Sequence, residues 1–293
     1  MKIAIGIPAF NEEKNIAKII TKLKKLSYSI IVCNDGSSDM TGEIAEELGV
    51  IVINHPKNLG YGAAIRSIFS KAAELHFDVL VTFDADGQHK TSDIKSVLKP
   101  ILNQDADIVI GSRFSNDDSN EVPTYRKIGI KAITALANTT SGKKISDAQS
   151  GFRAYNKKVL QEIVPSDTGM GVSTEILIKA NTQNFNIIEV PITVLYQGDT
   201  STHNPASHGA SVIMSTMKFI SIEHPLQFYG IPGIIFLIVG LFFIVWTIQG
   251  FSETRQIITN ISLIGIGSTI LGVMLLTTSI ILYSIVNVVR ERR

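Results

Sequence analysis

Cysteine is almost absent. Cys33 stands alone, so no disulfide can form within the chain, which fits a reducing compartment. Charge is also scarce: Asp, Glu, Lys and Arg make up 18% of residues, below the usual quarter for a soluble domain, and the mean hydropathy is +0.23. The deficit is local. Residues 225–252 and 256–289 contain no Asp, Glu, Lys, Arg or His, and each run exceeds the roughly 20 apolar residues that a helix needs to cross a bilayer core. Two transmembrane helices are expected, about 228–248 and 261–289, joined by a short connector into a hairpin. Arg290, Arg292 and Arg293 follow the second helix, whereas Glu253 and Arg255 cancel in the connector. The positive-inside rule then puts the C-terminus and the large N-terminal domain in the cytoplasm, as a multi-pass protein of the cell membrane. Residues 1–10 form a short run broken at Pro8, without the long apolar stretch of a signal peptide. A net charge of +1 argues against nucleic acid as a partner.

Short apolar runs alternate with helical patterns up to about residue 110. Ile3–Ile7, Ser29–Cys33, Val50–Asn54, Val79–Phe83 and Ile108–Gly111 read as strands. Segments 12–26, 41–48, 62–75 and 91–104 read as helices, the first carrying Ile16, Ile19, Ile20 and Leu23 on one face. This βαβ alternation predicts an α/β domain with a mostly parallel sheet covered on both faces. Ligands bind such sheets beyond the carboxyl ends of the strands, where the polar clusters of this chain fall.

The chain is organised around Val79–His89, an apolar run that stops at Asp84 and Asp86. In an extended segment residues i and i+2 point to one side, so both carboxylates and the Gln88 amide oxygen can face one hard cation, Mg²⁺ or Mn²⁺. Upstream lie Pro8-Ala9-Phe10-Asn11-Glu12 and Asn34 to Asp39. Asn11 or Glu12 can cap the helix that follows, and Asp35 with Gly36 makes a tight turn whose carboxylate can accept from a ribose or a base N–H edge. The glycines of Lys57–Gly62 permit close backbone approach to a ligand, although no Gly-Lys-Ser/Thr follows to make a P-loop.

Taken in order, Pro8–Glu12, Asn34–Asp39, Asn58–Gly62 and Asp84–Gln88 resemble the motifs of family 2 glycosyltransferases of the GT-A fold. Gly111-Ser-Arg113, Asp147–Arg153 and Ser173-Thr-Glu175 narrow the resemblance to polyprenyl-phosphate glycosyltransferases, the group of the dolichol-phosphate mannose synthases and bactoprenol glucosyltransferases. Asn34 departs from the Asp frequent there, which moves the base contact to Asp35.

The resemblance covers about residues 1–220 and continues into the helix pair. It implies a GT-A domain over 1–210; Val212, Ile213, Met217, Phe219, Ile220 and Ile222 among few charges read as an interfacial amphipathic helix over 211–227, ahead of the transmembrane hairpin over 228–293. It also implies inverting transfer of a sugar from a nucleotide sugar to dolichyl or undecaprenyl phosphate, for glycan or glycoprotein assembly. By resemblance, Pro8, Ala9, Asn11, Glu12, Asp35 and Gly62 bind the nucleotide, and Asp84, Asp86 and Gln88 hold the metal. Arg113 and Arg126 take the acceptor phosphate. Arg153 serves the phosphates or a structural carboxylate, and Glu175 stands at the family's catalytic carboxylate.

A phosphate monoester has a second pKa of about 6, so the nucleophile is already largely ionised and no strong base is required. The role expected for Glu175 is therefore to orient sugar hydroxyls or to brace an arginine. His203 and His208 fall in a polar loop, 196–210, read as a gate or pyrophosphate clamp. That loop looks unlike the corresponding loop of mannose synthases, which favours a UDP-sugar such as UDP-glucose or UDP-N-acetylglucosamine over GDP-mannose. A processive polysaccharide synthase is disfavoured by the lack of a Gln-x-x-Arg-Trp motif. A silent glycan-binding scaffold is disfavoured by the intact acidic pair and arginines. Gly265, Gly267 and Gly272 would permit close helix packing, including in a homo-oligomer.

Overall fold

The computed structural model describes residues 1–113, 145–193, 221–222, 224–256 and 258–291, with Met214 and Met217 besides. Contacts divide the chain into two units, Met1–Thr216 and Met217–Arg293.

The first unit is built on a seven-stranded sheet. In chain order its elements are β1 (Ile3–Ala9), α1 (Glu13–Lys24), β2 (Ser29–Asn34), α2 (Thr41–Glu47), β3 (Ile51–Asn54), α3 (Tyr61–Glu74), β4 (Val79–Thr82), α4 (Ile94–Leu102), β5 (Ile108–Ser112), β6 (Arg153–Asn156), α5 (Lys157–Glu162), α6 (Val172–Thr182) and β7 (Ile187–Pro191). The strand order is β3-β2-β1-β4-β6-β5-β7, and every neighbouring pair is parallel except those made by β6, which runs antiparallel to both β4 and β5.

Strand alternation sorts the apolar side chains into two cores. Ala4, Ile31, Cys33, Leu80, Ile108 and Ile110 face α3, α5 and α6, whereas Ile5, Ile7, Val32, Val79, Val81 and Val109 face α1 and α4. The αs on each side present helical stripes to match, Ile65–Ile68–Phe69–Ala72 on α3 and Ile94–Val97–Leu98–Ile101 on α4. Between β1 and β4 the order of connections reverses: β2 and β3 were laid down on one side of β1, and β4 returns to the other. This is the topological switch point where such sheets hold their ligands.

In the second unit, a π-helical turn Leu226–Gly230 leads into α7 (Ile231–Thr254), and α8 (Thr259–Glu291) follows. Leu226–Glu253 and Thr259–Val286 are long and apolar enough to cross a membrane. The two helices pack through glycine. A Cβ at Gly272 would lie 2.7 Å from the Leu237 nitrogen and 2.9 Å from the Gly233 carbonyl, and one at Gly265 would lie 3.1 Å from the Ile244 nitrogen. These two glycines are thus used within the hairpin itself, while Gly267 faces open space. The interfacial helix expected over 211–227 lies largely outside the described residues.

Candidate functional site

The segment after β4 departs from its expected geometry. The strand ends at Thr82, Asp84 and Asp86 flank a turn, and Gly87 takes φ 74°, so the two carboxylates are not presented by an extended chain. They are brought together by the turn instead. Asp86 accepts from the Gln88 backbone N–H at 2.9 Å, an Asx turn that fixes its side chain. Burial pushes the Asp86 carboxyl up to about 6, with the charge of Asp84 as the next cause. Burial also acts to raise Asp84, but the hydrogen bond and charge of His89, the Tyr61 hydroxyl and the charge of Arg113 outweigh it and hold Asp84 below the ordinary carboxylate range.

Asp84 is met at both oxygens. The Tyr61 hydroxyl donates to Oδ1 at 3.2 Å and His89 Nε2 lies 3.3 Å from Oδ2. Burial and the Asp84 charge keep the Tyr61 hydroxyl protonated, well above its ordinary value. The sequence pattern assigns no role to Tyr61 or His89. Tyr61 lies inside Asn58–Gly62 and His89 just beyond Asp84–Gln88, but a Tyr between two glycines and a His after Gln88 carry no spacing signal of their own.

The loops after β1 and β2 are stitched to one another beside this pair. Asn11 takes φ 55°, its backbone N–H donates to Ser37 Oγ at 3.0 Å, and its Oδ1 accepts from the Ser38 N–H at 2.9 Å. The start of α1 is capped across the loops rather than by Asn11 or Glu12: Asp39 accepts from the Glu13 N–H and Thr41 Oγ1 from the Glu12 N–H. Pro8 and Ala9 pair with Cys33 and Asn34 at the ends of these strands. Burial raises the Glu12 carboxyl and, although Asn15 bonds it, the charges of Asp39 and Asp84 raise it further.

Asp35 is 3% exposed and is engaged with the chain itself. It accepts from the Leu59 N–H at 3.0 Å and the Gly60 N–H at 2.8 Å, and His55 Nδ1 lies 2.6 Å away. Gly62 likewise meets the chain's own backbone. Its N–H donates to the Thr168 carbonyl, and a Cβ there would run into the carbonyls of Asp167 and Gly169. The 167–169 loop thus approaches the Gly62 backbone closely.

Arg113 is held by Asp147, which accepts from Nε and Nη2 at 2.7 Å each and from the Arg113 backbone N–H. Burial acts to raise Asp147, and the charge and hydrogen bonds of Arg113, with Arg153 behind, pull it below the ordinary range. Glu189 in turn accepts from the N–H groups of Ser146 and Asp147.

Arg153 and Glu175 are both buried among the chain's own groups. Arg153 is fully buried, donates to the carbonyls of Ser150, Ser173 and Ala148, and its charge helps to hold the structural carboxylate Asp147 low. Glu175 is 1% exposed, and among the described residues its ion-pair partner is a lysine and not an arginine. It accepts from the Ser166 and Asp167 N–H groups at 2.8 Å and pairs with Lys179, tying down the loop that packs on Gly60 and Gly62. Arg126, His203 and His208 lie outside the described residues.

The residues fit a divalent cation. Burial first, and then their mutual negative charge, raises two of the three carboxyls Asp84, Asp86 and Glu12, and their oxygens are hard donors. Among the described residues no group of three or more His, Cys, Asp or Glu side chains forms a complete cage. One or two carboxylates completed by substrate phosphates is the usual arrangement for Mg²⁺.

The likeness to known proteins agrees with this geometry. Residues 4–164 match the family model described as Glycosyl transferase family 2. A UDP-N-acetylglucosamine–dolichyl-phosphate N-acetylglucosaminyltransferase of Methanococcus voltae is 36% identical over 66% of this chain and 86% of its own length. A dolichol-phosphate mannosyltransferase of Pyrococcus furiosus is 34% identical over 66% of this chain and 56% of its own. Glucosyl-3-phosphoglycerate synthase of Mycobacterium tuberculosis, solved with Mn²⁺, UDP and phosphoglyceric acid, shares the fold. It superposes with a TM-score of 0.57 at 19% identity, over 74% of this chain and 78% of that one. With an acidic pair at the switch point of its sheet and a family match over residues 4–164, the chain belongs to glycosyl transferase family 2 and has the GT-A fold.

Proposed function

We propose that the protein transfers a sugar, with inversion, from a nucleoside diphosphate sugar to the phosphate of a membrane polyprenol. The observation that carries this reading is the position of Asp84 and Asp86 at the carboxyl end of β4, next to the β1 and β2 loops, in a chain that also carries two helices able to span a bilayer. The Methanococcus voltae and Pyrococcus furiosus relatives, named for dolichyl phosphate acceptors, support it.

Asp84 and Asp86, with Gln88, would hold Mg²⁺ or Mn²⁺. When bound, the ion acts as a Lewis acid on the diphosphate of the leaving group. The loops bearing Pro8, Ala9, Asn11 and Glu12 line the nucleotide side, and Asp35 keeps the 59–60 turn in place beside them. Arg113, clamped by Asp147 and close enough for its charge to lower Asp84, is assigned to the acceptor phosphate together with Arg126. A guanidinium already pinned on one edge meets a phosphate without losing further rotamer freedom. The acceptor phosphate is its own nucleophile, so neither aspartate nor Glu175 has to remove a proton. The prenyl tail stays in lipid, and anchoring the catalytic unit to the same bilayer, with its C-terminus on the cytoplasmic side, raises the effective concentration of the headgroup.

A UDP-sugar is the proposed donor, in line with the Methanococcus voltae relative, and GDP-mannose is the second reading, in line with that of Pyrococcus furiosus. Purified full-length protein supplied with Mn²⁺, a polyprenyl phosphate and a panel of labelled nucleotide sugars tests both. Label should move to the lipid from a UDP-sugar and not to a free sugar or a protein. Lipid labelling from no donor in the panel would overturn the proposal.

A further inference from the structure

We propose that Tyr61 and His89 are positioning residues that hold the Asp84 carboxylate for a divalent cation, with Tyr61 delivered by a turn that Asp35 ties down. The proposal rests on the metal role given to Asp84 above.

Both Asp84 oxygens have a donor, Tyr61 on one and His89 on the other. A carboxylate oxygen can only accept, so His89 Nε2 carries its proton in this contact. The His89 side chain is 8% exposed, and its ring lies 5.8 Å from that of Phe83 and 5.1 Å from that of Phe152. Its other nitrogen, Nδ1, is buried without a hydrogen-bond partner among the described residues. A ring needed there only for packing would be better without a stranded nitrogen, as phenylalanine would be. The imidazole is explained by what Nε2 does.

The third wall is Gly151. A Cβ at this position would lie 2.6 Å from the Tyr61 hydroxyl oxygen and 2.8 and 2.9 Å from the two Asp84 oxygens. The backbone that enters β6 therefore closes the space into which the carboxylate could swing, and Thr82 Oγ1 pins that backbone by donating to the Gly151 carbonyl at 2.6 Å.

Tyr61 is the first residue of α3, so its place depends on how the preceding turn is held. Asp35 accepts both N–H groups of Leu59 and Gly60, and Gly60 takes φ 99° to turn the chain into the helix. His55 orients Asp35 through Nδ1 and reaches Ser67 Oγ on α3 through Nε2 at 2.8 Å. A buried relay thus runs from His55 through Asp35 and the turn to Tyr61 and Asp84. Its effect is that the carboxylate loses its rotational freedom on folding and not on meeting the metal, the usual benefit of partners placed behind a metal ligand.

The test measures Mn²⁺ binding by purified full-length protein, from the electron paramagnetic resonance signal of free Mn²⁺, with the metal alone and with UDP added. Tyr61→Phe removes one oxygen and His89→Phe keeps the ring while removing the donor. Each should weaken Mn²⁺ binding about 10- to 100-fold, the range for lost partners of metal ligands. His89→Gln, which keeps an N–H donor, should recover most of the loss. Wild-type protein that binds no Mn²⁺ would overturn the metal site itself. Wild-type binding that is lost in Asp86→Ala but unchanged in Tyr61→Phe and His89→Phe would overturn the positioning proposal alone. A His89→Gln variant as weak as His89→Phe would trace the effect to ring packing and remove His89 from the proposal. Should His89→Phe fail to fold, Tyr61→Phe decides.

Discussion

Glu175→Gln changes one atom, and the structure states what that atom does. One carboxylate oxygen accepts from the Ser166 N–H and hydroxyl, the other from the Asp167 N–H, and Lys179 Nζ lies 2.6 Å away. A glutamine offers one acceptor and one donor, so in either orientation one of these N–H groups faces an NH₂. Stranding a buried N–H costs about 1–3 kcal/mol. The lost partnership with Lys179, whose side chain is 21% exposed, adds less than about 1 kcal/mol. The resulting destabilisation of about 1–4 kcal/mol lowers the Tm of a domain this size by roughly 2–16 °C. The loop it braces touches Gly60 and Gly62, so kcat/KM falls modestly while its pH profile keeps its shape. A general base would behave in the opposite way: kcat would drop by about 10² to 10⁴, one limb of the pH profile would vanish, and Tm would hold. Thermal melts and pH–rate profiles of the variant distinguish the two. The second pattern would refute the assignment of Glu175 as a brace.

Arg153→Lys should be worse for folding than for catalysis. Three buried carbonyls lose charge-assisted bonds worth about 1.5–3 kcal/mol each, and the yield of folded protein should collapse without a selective rise in KM for the acceptor. In the helix pair, Gly272→Ala pushes a methyl against the backbone of Leu237 and Gly233 and should cost about 1–3 kcal/mol, whereas Gly267→Ala should leave the melt unchanged. Acid should act on two carboxyls in opposite senses. Asp147 is held low, so its stabilisation is present above the ordinary carboxylate value near 3.8 and is lost as pH falls below it. Asp86 is held high, so without divalent cation its contribution to stability declines as pH rises from about 4 through about 6, and Mg²⁺ should remove that decline. Mn²⁺ affinity should accordingly weaken as pH is taken below about 6, read from titrations at several pH values.

The first five strands and four helices were legible because each is an apolar run or stripe of the right period. β6 was not. It is four residues long, starts with a buried arginine, and follows a glycine whose missing side chain makes room for Asp84, so no local pattern marks it as a strand in the centre of the sheet. The acidic pair was legible from its spacing, although the extended geometry inferred for it gives way to a turn at Gly87. What the sequence hid are partnerships across long separations: Tyr61 and Gly151 against Asp84, Asp147 against Arg113, Glu175 against Ser166 and Asp167. Asp35 and Gly62 show the same limit. Their motif points to a ligand, but it does not reveal that they also meet the chain's own 59–60 turn and 167–169 loop. A single chain displays residue types at a site but not which of them face inward to hold the others.

The central claim is that Asp84 and Asp86 serve a metal-assisted transfer to a lipid phosphate. The most direct measurement is the rate at which metal-stripped wild-type protein and Asp86→Ala label a polyprenyl phosphate as Mn²⁺ is added back, with the best donor of the panel. Wild-type activity should be absent after stripping and return with Mn²⁺, and Asp86→Ala should stay inactive at every concentration. Full-rate transfer by the stripped wild-type protein, or by Asp86→Ala, would contradict the claim.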